Sequence, residues 1–242
     1  MEIVIQNKEQ FVDVFLTAIS KISDLAVVNI TNNKISCLCA TETHLACYAE
    51  IDIQIAVTNN IKLNLPDVKR LIKLLNVIDE PSIKLKLNNN NLEYSSSTTR
   101  FKYHLLDDSI ITVPNININK INTFAYTCDF VLAYSSYANI HKSSALVNDC
   151  NKLYISAENS CVYGDVTDKT RSNIDNICNK IADSFNGNSF SSVPVSLDVF
   201  RFIHLPKQTD MVVKYNSIYG TFLFEVADNN FNAKYLTAAM VK

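Results

Sequence analysis

The sequence predicts an α+β chain made of two tandem copies of one β-rich domain, each copy with two helices packed on antiparallel sheets. Three observations predict it. DVKRLIKLL at 67–75 returns as DVFRFIHLP at 198–206, 131 positions on. VNITNNKISCLCA at 28–40 returns in outline as VNDCNKLYISA at 147–157, 118–119 positions on. Alternating, strand-like runs outnumber helical ones in both halves and fall in the same order. The second half carries about a dozen extra residues between the two matches, within TRSNIDNICNKIADSFNGN.

In the first half EIVIQ opens as a strand. Asn7 can cap a helix, with Gln10 three residues on, and Phe11, Phe15, Ile19 and Ile22 follow at helical spacing beside Val12 and Leu16. LAVVNIT, KISCLCA and LACYAEIDIQIAV alternate as strands, a helix spans 66–76, and SIKLKL, NLEYSSS and RFKYHLL close the half. In the second half TFAYTC is the opening strand and a helix runs from Asp129 to about His141. Hairpin strands follow, then a short helix at 197–204 and the strands DMVVKY, GTFLFEVA and FNAKYLTAA. The asparagine runs NNNN and DNN, and the turns of the repeated VN segments, mark tight connections. LLDDSIITVPNININKIN, with Pro114 and no helical period, reads as an extended connector. The predicted boundaries are 1–105 for the first domain, 106–122 for the connector and 123–242 for the second domain.

Composition narrows the function. Of 242 residues 48% are hydrophobic and 19% charged, with a formal net charge of −2, so any cationic surface must be local and offset elsewhere. The three glycines, Gly164, Gly187 and Gly220, are far apart, which excludes a Walker loop and a dinucleotide GxGxxG; GxSxG and HExxH are also absent. The seven cysteines form no CxxC pair and read as reduced core thiols. His44, His104, His141 and His204 are scattered and read as structural or solvated. The opening MEIVIQNKEQF lacks the pattern of a signal peptide, and no apolar run reaches the length of a membrane span. No metal and no cofactor is expected. An enzyme such as a nuclease needs clustered carboxylates for metal; Asp107-Asp108 and Asp79-Glu80 are the close acidic pairs, and both read as turn residues.

The repeated helix carries the functional signal. Over 67–75, Val68, Leu71, Ile72 and Leu75 form a buried stripe, while Lys69, Arg70 and Lys73 share the outer face. In the second copy Val199, Phe202 and Ile203 are apolar, and Arg201 and His204 share the outer face. A single cationic helix face is ordinary solvation. Two copies with an arginine and a second base at matching positions point to a shared anionic partner. Two of the chain's four arginines lie in this repeat.

The order of elements, with LPDVKRLIKLLNVIDEPSIKLKL, DDSIITVPNI and GTFLFEVADNNFNAKYLTA as its best local marks, resembles the T4-type bacteriophage sliding clamp, a DNA polymerase processivity factor of PCNA-like fold. The resemblance covers essentially the whole chain. It implies a non-enzymatic, head-to-tail homotrimeric ring with helices lining a hole for double-stranded DNA, held without sequence readout. DNA polymerase, a clamp loader and late-transcription proteins are the implied partners, with no membrane involved, in the cytoplasm of an infected host cell. The expected DNA face is Lys69, Arg70, Lys73, Arg201 and His204, with Lys142 and Lys21 as weaker members. The helix bearing Lys142 shows Ser135, Ser136 and Asn139 where related clamps often carry bases, a departure from the family. Ile110, Ile111 and Val113 are too apolar for a solvated connector, and with Leu236 and Met240 are the expected pocket for a partner's peptide. Open strand edges near 100–105 and within 171–182 are the expected subunit contacts. Two other readings stay open: a monomeric viral processivity factor of the same fold, and a virion structural protein of tandem β domains.

Overall fold

Burial alternates along Lys34–Ala40, with Ile35, Cys37 and Cys39 inward and their neighbours half-exposed, so this run pleats into a sheet with one buried face. The same logic builds most of the molecule. The computed structural model describes residues 1–31, 33–42, 45–53, 55–56, 59–147 and 150–240, main chain only at 55 and 56. His44 and the turn asparagines Asn32 and Asn148 lie outside these. The chain divides into two compact units: Met1–Ile116 with Asp228–Ala233, and Asn117–Ala227 with Lys234–Lys242.

The first unit runs β1 (Glu2–Ile5), α1, β2 (Ala26–Thr31), β3 (Lys34–Ala40), β4 (Ala46–Ile51), β5 (Ile55–Ala56), β6 (Ile61–Leu65), α2 (Val68–Leu75), β7 (Ile83–Asn88), β8 (Asn91–Ser95) and β9 (Arg100–His104). Helix α1 is a π-helical stretch, Gln10–Leu16, continued by one α-turn, Thr17–Ser20. Its strands form two antiparallel sheets, ordered β5-β1-β7-β8-β9 and β4-β3-β2-β6. Phe11, Phe15 and Ile19 of α1 and Val68, Leu71 and Leu75 of α2 are buried in the core.

The second unit adds α3 (Ile118–Asn122), then β10 (Cys128–Leu132), α4 (Tyr134–Leu146), β11 (Lys152–Glu158), β12 (Cys161–Val166), β13 (Ile177–Ala182), β14 (Asn186–Gly187), β15 (Phe190–Ser196), α5 (Leu197–Phe202), β16 (Met211–Asn216), β17 (Thr221–Asp228) and β18 (Phe231–Ala238), less Asp228–Ala233 at the turn between the last two. Its strand orders are β14-β10-β16-β17-β18 and β13-β12-β11-β15. From β10 onward the topology repeats that of the first unit, strand for strand and helix for helix. An aromatic cluster of Phe200, Tyr215, Phe222 and Phe224 fills part of its core, where the first unit packs mainly aliphatic side chains beside Phe11 and Phe15. The α+β reading, with antiparallel sheets and few helices, is the architecture found.

Several sequence expectations are corrected. The helix predicted from Asp129 starts at Tyr134 instead. Cys128, Phe130 and Leu132 alternate inward and pair with β16, so the preceding residues are a strand. The helix start is satisfied from far away: the Asp210 carboxylate accepts from the Tyr134 N–H at 3.0 Å. TFAYTC is mostly irregular, with only Cys128 in a strand. LACYAEIDIQIAV is not one strand but β4 and β5, and IKLNL forms the unpredicted β6. The connector is not wholly extended: Asn117 caps α3 by accepting from the Lys120 N–H at 3.2 Å. All seven cysteines are free thiols, but only five are buried: Cys161 is half-buried and Cys178 exposed. Among the described residues no helix is long and apolar enough to cross a membrane.

Candidate nucleic-acid interface

Asp67 sets the start of α2, its side chain accepting from the Arg70 N–H at 2.8 Å. The Tyr103 hydroxyl of β9 accepts from the Asp67 N–H at 3.1 Å and donates to the Asp67 carbonyl at 2.8 Å, which pins this start to the sheet. Burial pushes the Tyr103 hydroxyl up to about 12, so it stays a neutral donor. With Val68, Leu71 and Leu75 buried, Lys69, Arg70 and Lys73 are exposed together on the other side. Ile72, expected in the buried stripe, is half-buried. Lys69 pairs with Asp24, Nζ to Oδ1 3.0 Å.

The second copy departs from the pattern that suggested it. The cap of α5 is Ser196, whose hydroxyl accepts from the Asp198 N–H at 3.3 Å. Asp67 is therefore the cap of α2, whereas its sequence match Asp198 lies inside α5. The two helices are out of phase with the sequence repeat by two residues: Arg70 is the third residue of α2 and Arg201 the fifth of α5. Phe200, which matches exposed Lys69, is buried in the core, and Phe202 is half-buried. Helix α5 stops at Phe202 because Ile203 turns extended ahead of Leu205-Pro206, so His204 lies beyond the helix, half-buried, its N–H donating to the Tyr235 hydroxyl at 3.1 Å. Arg201 is exposed and paired with Asp198, Nη1 to Oδ1 2.9 Å.

The weaker members are placed on the remaining helical segments. Lys142 is exposed on α4, whose Tyr137, Ile140 and Ser143 face inward. Lys21 follows α1 and is half-buried, and burial lowers its ammonium below the ordinary lysine value.

A cavity of about 270 Å³ lies in the first unit, between residues 110–114 and the β2–β3 layer, with Leu25, Val27, Leu38 and Cys39 in its wall. Ile110, Ile111 and Val113 line it; Leu236 and Met240 belong to the second unit and are not among its lining residues. Met240 donates its N–H to the Pro194 carbonyl at 2.8 Å. The connector enters this region through Asp108, which accepts from Lys62 Nζ at 2.8 Å and Asn64 Nδ2 at 2.7 Å, bonds that hold its carboxyl below the ordinary range. Sequence reading missed the cavity's floor in β2 and β3, because those positions look like any core alternation. Among the described residues no group of three or more His, Cys, Asp or Glu side chains is placed to hold a metal ion.

Comparison of the sequence with known families and with curated proteins gives no match. The fold does match solved structures. PCNA from A. fulgidus, solved with the C-terminal region of FEN-1 bound, aligns with a TM-score of 0.75 at 13% identity over 100% of this chain and 99% of that one. PCNA from Entamoeba histolytica gives 0.76 at 12% identity over 99% and 98%. The DNA polymerase III subunit beta from Pseudomonas aeruginosa gives 0.75 at 12% over all of this chain and 66% of its own. The chain therefore has the sliding-clamp fold. Within that fold its near-complete coverage of the PCNA chains sets it at their length.

Proposed function

We propose that this protein is a sliding clamp of the T4 type: a homotrimer that encircles duplex DNA and tethers a DNA polymerase, with no catalytic chemistry of its own. The observation that carries the reading is the exposed cation group Lys69, Arg70 and Lys73 on a helix of a sliding-clamp fold. Lysine and arginine contacts to phosphate do not read sequence, which suits a protein that must hold DNA and still slide. Strands β9 and β13 each end a sheet in their units, and such open edges suit head-to-tail pairing between subunits. The cavity beside residues 110–114 has the size for the apolar anchor of a peptide tail, and the A. fulgidus PCNA was solved with such a C-terminal region bound.

The test combines mass with DNA retention. Light scattering at micromolar concentration should give three chains per particle. Changing Lys69, Arg70 and Lys73 together to Glu should keep that mass and remove loading and processive primer extension on long templates. A monomer at all concentrations would count against the ring, and normal extension by the triple variant would move the DNA face elsewhere.

A further inference from the structure

Two of the cations proposed to face DNA are already occupied by acids that the fold holds in place. In the first unit the Asp24 carbonyl accepts from the Val68 N–H at 2.9 Å, which fastens the turn before β2 to the start of α2. That bond brings the Asp24 carboxylate beside the next residue, Lys69, at 3.0 Å. In the second unit Asp198 is held from two directions, Oδ2 accepting from Asn151 Nδ2 at 2.9 Å and Oδ1 from Arg201 Nη1 at 2.9 Å. Helix α5 thus carries one acid and one base and has no net charge of its own. Both pairs are open to solvent, with side-chain exposures of 60% and 56% for Lys69 and Asp24, and 55% and 35% for Arg201 and Asp198.

Exposed pairs of this kind are weak, so a phosphate can displace the carboxylate. The displaced carboxylate then stands near the phosphate, repels it and collects a counterion, which cancels part of the counterion release that drives DNA binding. We propose that Asp24 and Asp198 compete with DNA phosphates for Lys69 and Arg201, and so hold the grip of α2 and α5 below what their cations alone would give. The proposal rests on the DNA-encircling reading above. In a topologically linked ring, weaker contacts cost no retention and lower the friction of sliding.

The test is binding of a random-sequence 30-base-pair duplex, followed by fluorescence anisotropy across a salt series, for Asp24→Asn, Asp198→Asn and the double variant. Each single change should tighten binding about two- to five-fold at low salt. Each should also steepen the dependence of log K on log salt by about one unit. In a Lys69→Gln background the gain from Asp24→Asn should shrink, because only the repulsion between the carboxylate and the phosphate is left to relieve. The predicted effect is a gain, which misfolding cannot imitate; Asp24→Ser and Asp198→Ser should reproduce it. Unchanged or weaker binding in the Asn variants, with Lys69→Gln and Arg201→Gln still weakening it, would overturn the competition and leave the DNA face standing. A gain undiminished without Lys69 would also overturn it. If none of the acid or base variants alters binding, the DNA-encircling reading fails and the competition with it.

Discussion

Tyr137 shows how much of the second unit hangs on one hydroxyl. It is buried on α4, and its oxygen lies 2.6 Å from the Phe200 carbonyl and 3.0 Å from that of Ile203, at the end of α5. Burial pushes its acidity well away from physiological pH, so it remains a donor. Tyr137→Phe should cost about 1–3 kcal/mol of stability by stranding these carbonyls, measurable by urea unfolding. Asp168 offers a pH-dependent counterpart. The Thr170 hydroxyl at 2.7 Å and Lys152 Nζ at 2.9 Å hold its carboxyl down to about 2. A folded value below the unfolded one gives stability that is present above the unfolded value and lost as pH falls through about 2. Asp168→Asn should therefore flatten the decline of stability between about pH 4 and about pH 2, seen as a smaller difference in unfolding midpoint across that window.

At the scale of elements, the sequence reveals those whose signals are local. Val68, Leu71 and Leu75 announce α2, expected over 66–76 and found at Val68–Leu75, because the whole stripe lies within eight positions. The start of α4 is hidden because its N-cap, Ala133, gives no capping side chain and its first N–H is taken up by Asp210, 76 positions away. The strand β10 is masked because its alternating Phe130 and Leu132 run directly into the helical spacing of Tyr137 and Ile140. The match of DVFR to DVKR finds the right helix but the wrong phase, since a two-residue shift in the cap cannot be read from residue identity. Surface exposure is legible where residues sit on a strong helix, as Lys69, Arg70 and Lys73 do, and less so at His204, past a helix that ends early. The connector cavity was half legible: the apolar 110–113 segment declared a need for cover, but not that β2 and β3 supply its floor. On the proposed function, Ile111→Asp should weaken binding of the cognate polymerase's C-terminal peptide at least tenfold while the trimer persists, as checked by calorimetry beside light scattering. Unchanged affinity would place the peptide at the subunit seam.

For the whole molecule, the central fact is a single topology used twice with different cores. Equivalent strands keep their neighbours although the first unit packs mainly aliphatic side chains and the second clusters Phe200, Tyr215, Phe222 and Phe224. Backbone pairing and the side of each strand that is buried are thus what the repeat conserves within this chain, and residue identity is free to drift, which explains why so few sequence matches survive between the halves. In the first unit β1 lies between β5 and β7, with Ile5 opposite both Ile55 and Ile83. That placement has a consequence during synthesis. At roughly 5–20 residues per second, about 4–16 s pass between the emergence of the first strand and that of its last neighbour. A ribosome-bound chain exposes the apolar Ile3 and Ile5 with both edges of β1 unpaired until β5 emerges, and with one edge unpaired until β7 does. A chain truncated after Leu65 should lack cooperative unfolding and aggregate, and one ending at Ile116 should recover a sheet, which circular dichroism on the two truncations would decide. The newborn protein thus passes through a window of vulnerability to self-association whose length is set by where the ribosome stands on the message.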